Sequence, residues 1–267
     1  MVTMWAQLVV GVMSVASTVV TSCAGSEPKP DRSSVERMTV RIVAEYPHDP
    51  QAFTEGLVFV GDRLYESSGG YETSDVREVD SATGQVLASQ RLDAKLFAEG
   101  LAGWAGGLVQ LTWRERTVLR WDTDLAPGTP GAIVEDGWGL TANDEHLISS
   151  DGTATIRFRD PDTLEPVRSV EVRRDDRPVT RINELEYVDG AIWANVWMTD
   201  DILRIDPDSG AVTAVVDASA LARATEPRAD PDAVLNGIAH RPGDPPNRLW
   251  LTGKWWPSIF EVEVVPR

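Results

Sequence analysis

One cysteine, Cys23, stands in 267 residues, so no disulfide can form within the chain. Histidine is nearly as scarce. His48, His146 and His240 have no metal-ligand spacing and no second cysteine to complete a set, which argues against a zinc site. Basic residues are outnumbered, 25 Lys and Arg against 42 Asp and Glu, and a formal net charge of −17 denies nucleic acid the positive footprint it needs. No Gly-x-Ser-x-Gly elbow, phosphate loop or dinucleotide fingerprint occurs, so those hydrolase and nucleotide chemistries find no support. Long apolar runs are missing as well: residues 8–20 form an apolar stretch too short to span a bilayer comfortably as a helix.

That stretch ends in Val20-Thr21-Ser22-Cys23-Ala24-Gly25, and small residues before a cysteine resemble a bacterial lipoprotein cleavage box. Residues 1–23 therefore read as a processing signal with Cys23 as the lipidated residue, although no Lys or Arg precedes it. Residues 24–37, rich in Ser, Pro and charge, read as a polar tether. The expected picture is an exported, monomeric domain outside the cytoplasmic membrane, touching it only through a lipid at Cys23.

What the chain does have is a repeat. Five times a polar or aromatic residue is followed by a small residue or carboxylate and then an aliphatic one: Glu55-Gly56-Leu57, Glu99-Gly100-Leu101, Trp138-Gly139-Leu140, Asn183-Glu184-Leu185 and Asn236-Gly237-Ile238. Their centres recur at intervals of roughly 39 to 53 residues, a blade-length period. Each opens a strand-like run, followed in several copies by a turn such as Gly61-Asp62, Asn143-Asp144 or Asp189-Gly190 and a second run such as Leu64-Tyr65-Glu66-Ser67 or Ile192-Trp193-Ala194-Asn195. Third and fourth runs complete the unit. Asp206-Pro207-Asp208-Ser209-Gly210 has some look of a calcium loop, but between two strands it reads first as a hairpin turn.

Four antiparallel strands repeated radially predict an all-β, five-bladed β-propeller over residues 38–267. The last copy stops one strand short at Arg267, and the run at residues 38–43 has no blade of its own. Pairing of these N-terminal and C-terminal strands would close the ring. A two-sheet sandwich also has many short strands, but it does not produce the same opening at a fixed period.

In a propeller the first strands line the channel, so the five openings are expected to converge at one mouth. Glu55 and Glu99 are then candidates for proton transfer, against the alternative that such carboxylates tie neighbouring blades together by accepting backbone N–H groups. Trp113, Trp138, Trp197 and the pair Trp255-Trp256 lie near openings or strand ends, with Phe53 and Phe97 two residues before the glutamates. Aromatics beside polar groups at a mouth suit a ligand cage, whereas Trp104, Trp121, Trp193 and Trp250 read as core. Lys254, in Thr252-Gly253-Lys254-Trp255-Trp256, is a candidate charged donor to a carbonyl.

His48-Asp49-Pro50-Gln51-Ala52-Phe53-Thr54-Glu55-Gly56-Leu57, Leu96-Phe97-Ala98-Glu99-Gly100-Leu101, Leu111-Thr112-Trp113, Asp136-Gly137-Trp138-Gly139-Leu140, Ile182-Asn183-Glu184-Leu185, Ala194-Asn195-Val196-Trp197 and Leu235-Asn236-Gly237-Ile238, in that order, resemble the glutamine cyclotransferases of the plant and bacterial type. The resemblance implies a five-bladed propeller that closes an N-terminal glutamine onto its own side chain, giving pyroglutamate and ammonia, without a catalytic cofactor. It implies Glu99 as acid/base, Asn183 and Lys254 as polar anchors, and Phe53, Phe97, Trp113, Trp138 and Trp197 as the hydrophobic wall. Asn236 joins the expected substrate-binding set, and Glu55, standing where the plant enzymes carry glutamine, is expected to meet the substrate amine. The expected partner is a peptide or protein with N-terminal glutamine. Two other readings stay open: a lactonase-like propeller with a calcium ion held in the channel by Glu55, Glu99, Asn183 or Asn236, and a non-catalytic lipoprotein that captures peptides.

Overall fold

The computed structural model describes residues 1–3, 5, 35–225 and 229–267. The apolar run, Cys23 and most of the expected tether lie outside the described residues. Two compact units divide the chain, Met1–Ser33 and Ser34–Arg267, and the second carries the fold described here.

Among its described residues this unit is all-β apart from one short helix. A long strand β1 (Glu36–Pro47) comes first, followed by a four-stranded antiparallel sheet of β2 (Thr54–Val60), β3 (Arg63–Ser68), β4 (Asp75–Val79) and β5 (Val86–Arg91). A second sheet holds β6 (Ala98–Trp104), β7 (Gly107–Thr112), β8 (Thr117–Trp121) and the two-residue β9 (Gly131–Ala132). A third holds β10 (Leu140–Ala142), β11 (Leu147–Ser149), β12 (Thr155–Arg159) and β13 (Pro166–Glu171), and β14 (Arg173–Arg174) pairs with β15 (Arg177–Pro178) in a small hairpin. The remaining strands are β16 (Ile182–Val188), β17 (Ala191–Val196), β18 (Asp201–Ile205), β19 (Val212–Asp217), β20 (Leu235–Ala239), β21 (Arg248–Gly253) and β22 (Ser258–Pro266), with α1 (Ser219–Ala224) between β19 and β20. They form one eight-stranded sheet ordered β16-β17-β18-β19-β1-β22-β21-β20. β1 joins its two halves, running parallel to β19 over Glu36 to Thr39 and antiparallel to β22 from Met38 to Pro47. The N-terminal and C-terminal strands thus pair.

The turns follow from their residues. Asp189 and Gly190 both take positive φ, 48° and 78°, which is the tight two-residue turn whose twist matches the strands it joins. Asp206 Oδ1 accepts from the N–H groups of Asp208 and Ser209 at 3.2 and 2.8 Å, and from the Ser209 hydroxyl at 2.6 Å. The segment is a hairpin turn whose own loop satisfies that carboxylate oxygen.

Burial grades across the first three meanders, whereas the fourth strand β19, paired with β1, is itself mostly buried. β2 is buried at every residue but its last, whereas β5 is exposed at all six. Strands β5, β9 and β13 are therefore outer, and the opening strands inner. They also touch: a Cβ on Gly56 would lie 2.5 Å from the Leu101 nitrogen, one on Gly100 2.3 Å from the Leu140 nitrogen, and one on Gly139 2.0 Å from the Asn183 oxygen. The glycine of the repeat is required because the next opening strand passes against it. In the fourth copy Glu184 stands at that position and its carboxylate accepts from Ile238 N–H at 2.8 Å. Gly237 in turn faces the Thr54 methyl and Leu57 Cβ.

Candidate active site

Each opening strand but β10 carries a register shift at the repeat: between Thr54 and Gly56, Ala98 and Leu101, Ile182 and Leu185, and Leu235 and Ile238. A bulge releases one residue from the ladder and re-aims its side chain. The released residues include Glu55, Glu99, Asn183 and Asn236. Polar residues ending the second strands fix the next opening. Ser67 donates its hydroxyl to the Glu99 carbonyl at 2.5 Å, Ser150 donates to the Asn183 carbonyl at 2.7 Å, and Asn195 accepts from the Gly237 N–H at 3.1 Å.

The result is a cavity of about 260 Å³ lined by Phe53, Glu55, Phe97, Glu99, Trp113, Trp138, Asn183, Trp197, Asp232 and Lys254. Trp138 and Trp197 meet edge to face at 5.7 Å, and Phe97 stands 5.6 Å from Trp113 and 6.0 Å from Phe53. Phe53 packs on Trp255 at 4.6 Å and lies 4.4 Å beneath the Lys254 ammonium. Trp256, the other member of the pair, is fully buried and donates its indole N–H to the Ala233 carbonyl at 3.3 Å.

The charged groups divide into a paired set and a free one. Lys254 Nζ bonds Glu55 Oε1 at 2.7 Å, and the Asn236 amide donates to Glu55 Oε2 at 3.1 Å and to the Thr54 carbonyl at 2.8 Å. Burial raises the Glu55 pKa, with Lys254 and Asn236 pulling the other way. Glu99 is 6% exposed and its carboxyl makes no hydrogen bond among the described residues. Burial pushes its pKa well above the ordinary carboxylate range, the nearby Glu55 charge adds to this, and Lys254 opposes it. The buried Oδ1 of Asn183 likewise has no hydrogen-bond partner among the described residues.

Nine of the ten lining residues are ones the sequence points to. Asn236 is the exception among the expected substrate contacts: it is fully buried behind Glu55, does not line the cavity and acts as a support for that carboxylate. Asp232 lines the cavity and lies outside every repeat opening. The alternative role for strand-start carboxylates, as ties between sheets, describes Glu184 and Glu186. Glu184 also accepts from Leu57 N–H at 3.4 Å, and Glu186 accepts from His240 N–H at 2.9 Å and the Thr141 hydroxyl at 3.1 Å. Burial carries Glu184 well above the usual range and Glu186 to about 7. Behind the site, His48 is buried between Glu66, 3.0 Å from Nε2, and the Trp256 carbonyl, 2.7 Å from Nδ1, while Thr54 donates its hydroxyl to the same Glu66 at 2.6 Å. Among the described residues no three or more His, Cys, Asp or Glu are grouped to hold a metal ion.

Fold and site together define an all-β protein with a buried carboxyl facing an indole-walled pocket. The glutamine cyclotransferase family model matches residues 14–264, and the chain belongs to that family. It is 39% identical over 229 residues to the glutaminyl-peptide cyclotransferase of Arabidopsis thaliana, covering 84% of this chain and 71% of that protein. It is similar to the crystal structure of Myxococcus xanthus glutaminyl cyclase, with a TM-score of 0.83 and 39% identity, covering 88% of this chain and all of that one.

Proposed function

We propose that this protein is a glutaminyl-peptide cyclotransferase built as a five-bladed β-propeller, and that Glu99 is its acid/base. The propeller reading is supported by the contacts among opening strands, which run from β2 through β6, β10, β16 and β20 back to β2, and by β1 completing the meander of β20, β21 and β22. The observation that carries the function is Glu99, a buried carboxyl with no protein partner among the described residues, set in a pocket of indole rings.

The substrate α-amine has a solution pKa of about 8 and must lose a proton before it attacks. With that first proton released to solvent, Glu99 takes a second one from the neutral amine as its nitrogen bonds to the side-chain amide carbon. It then delivers a proton to the amide nitrogen as the carbon–nitrogen bond breaks and ammonia leaves. One residue serves both steps because the proton gained equals the proton given. The amide oxygen turns negative between the two steps. Lys254, which spends only one of its donors on Glu55, and the Asn183 amide nitrogen, on a side chain lining the same cavity, are the donors for it. Nucleophile and electrophile belong to one flexible residue, so holding it folded is a large part of the work, and that falls to Phe53, Phe97, Trp113, Trp138 and Trp197.

The test is ammonia release from a glutamine-led peptide, followed by a coupled enzyme, with and without chelator. Stoichiometric ammonia and pyroglutamate, insensitive to chelator, are expected. Tight peptide binding without ammonia would leave a peptide-capture protein, and chelator-sensitive turnover of lactones would leave the calcium reading.

A further inference from the structure

A second cavity, of about 990 Å³, opens beside the first and shares Phe53, Phe97 and Asp232 with it. If the smaller cavity takes the glutaminyl residue, the peptide that follows has to leave past that common rim. Of the other charges lining the larger cavity, Arg77 and Asp49 neutralise each other, while exposed Arg91 bonds only a neutral carbonyl among the described residues and keeps its positive charge. Arg77 bonds Asp75 at 2.7 Å and Asp49 at 2.9 Å, and Arg91 donates to the Thr73 carbonyl. Asp232 differs. Its backbone is fixed in a turn, its N–H on Asp230 Oδ1 at 3.0 Å and its carbonyl accepting from Val234 N–H at 2.8 Å, but its exposed carboxylate has no hydrogen bond or ion pair among the described residues. Its charge nevertheless reaches Glu55, whose pKa it raises.

We propose that the larger cavity receives the peptide chain following the N-terminal glutamine, and that Asp232 is a specificity-determining residue favouring Lys or Arg directly after that glutamine over Asp or Glu. This rests on the cyclotransferase reading above. A basic side chain there meets an unpaired carboxylate, and an acidic one meets like charge. Because Asp232 is exposed, each effect is a modest, salt-sensitive one of about fivefold or less.

The experiment compares kcat/KM for three peptides of identical tail beginning Gln-Lys, Gln-Ala and Gln-Glu, on the parent, Asp232→Asn and Asp232→Glu. At low ionic strength the parent is expected to prefer Gln-Lys over Gln-Glu by about tenfold. Asp232→Asn should bring that ratio within twofold, Asp232→Glu should restore it, and added salt should narrow it in the parent. A parent without preference, or an Asp232→Asn variant that keeps it, overturns the assignment. Turnover of none of the three peptides would overturn the cyclotransferase reading instead. Calorimetric affinities of the same peptides for parent and variants then decide the role of Asp232 by the same ratio.

Discussion

Burial acts on Glu99 in a pH-dependent way. Its pKa in the fold lies well above the ordinary 4.5, so between those two values the unfolded chain has released a proton that the folded chain retains. Stability tied to this group is present below about pH 4.5 and is lost as pH climbs through the raised value. Glu99→Gln removes the ionisation and keeps the shape. The variant should lose about 10²- to 10⁴-fold in kcat with little change in KM, yet melt higher than the parent at pH 8 by a margin that shrinks toward pH 5. Thermal melts at the two pH values together with ammonia release check both halves; retained turnover would reassign the acid/base. The legibility of the site has the same residue-level logic. Phe53, Glu55, Phe97, Glu99, Trp138 and Asn183 occupy or flank strand openings, where the repeat marks them. Asp232 follows no period, and its position depends on a turn between α1 and β20. Asn236 occupies an opening and still faces Glu55, because the pattern of residues does not say which way a bulged strand turns each side chain.

At the level of elements, the small middle residue of the repeat has a physical cause in the close passage of neighbouring opening strands. Gly139 is the tightest of these: its missing Cβ would fall 2.0 Å from the carbonyl oxygen of Asn183 and 2.8 Å from the Glu184 Cα, backbone atoms that cannot swing aside. That carbonyl also accepts the Ser150 hydroxyl, so any shift carries Asn183 with it. Gly139→Ala is expected to cost about 1–3 kcal/mol and to raise KM, since a donor aimed at the substrate moves. Gly190→Ala is the comparison, with nothing within 4 Å of its Cβ but φ at 78°. It should cost about 1–2 kcal/mol through backbone strain alone and leave KM at the parent value. Equal KM effects in the two variants would show that Gly139 acts only on stability. Most strands were readable from alternating runs and turn dipeptides such as Asp189-Gly190. The two-residue β9, the β14–β15 hairpin and α1 were not, because elements this short are held by surrounding contacts rather than by any period of their own.

For the molecule as a whole, β1 is the element whose pairing the sequence foretells, since the run at residues 38–43 has no unit of its own and the last unit lacks a strand. Val40 is its one buried residue, so burial contributes little to holding it. Its role is to pair: one edge meets β22 along nearly its whole length, and its first residues meet β19. A chain beginning at His48 would leave the β22 edge open and lose a ladder of backbone hydrogen bonds, each worth about 1 kcal/mol net. That loss is comparable to the about 5–15 kcal/mol that keeps a domain folded, and an unpaired edge invites association. A chain beginning at Val35 is therefore expected to melt cooperatively and turn over substrate, whereas one beginning at His48 should lose its cooperative melt and aggregate. Supplying a synthetic peptide of residues 36–47 should restore both solubility and turnover by adding the strand back. If instead the chain beginning at His48 melts at the parent temperature with full activity, β1 is an accessory strand.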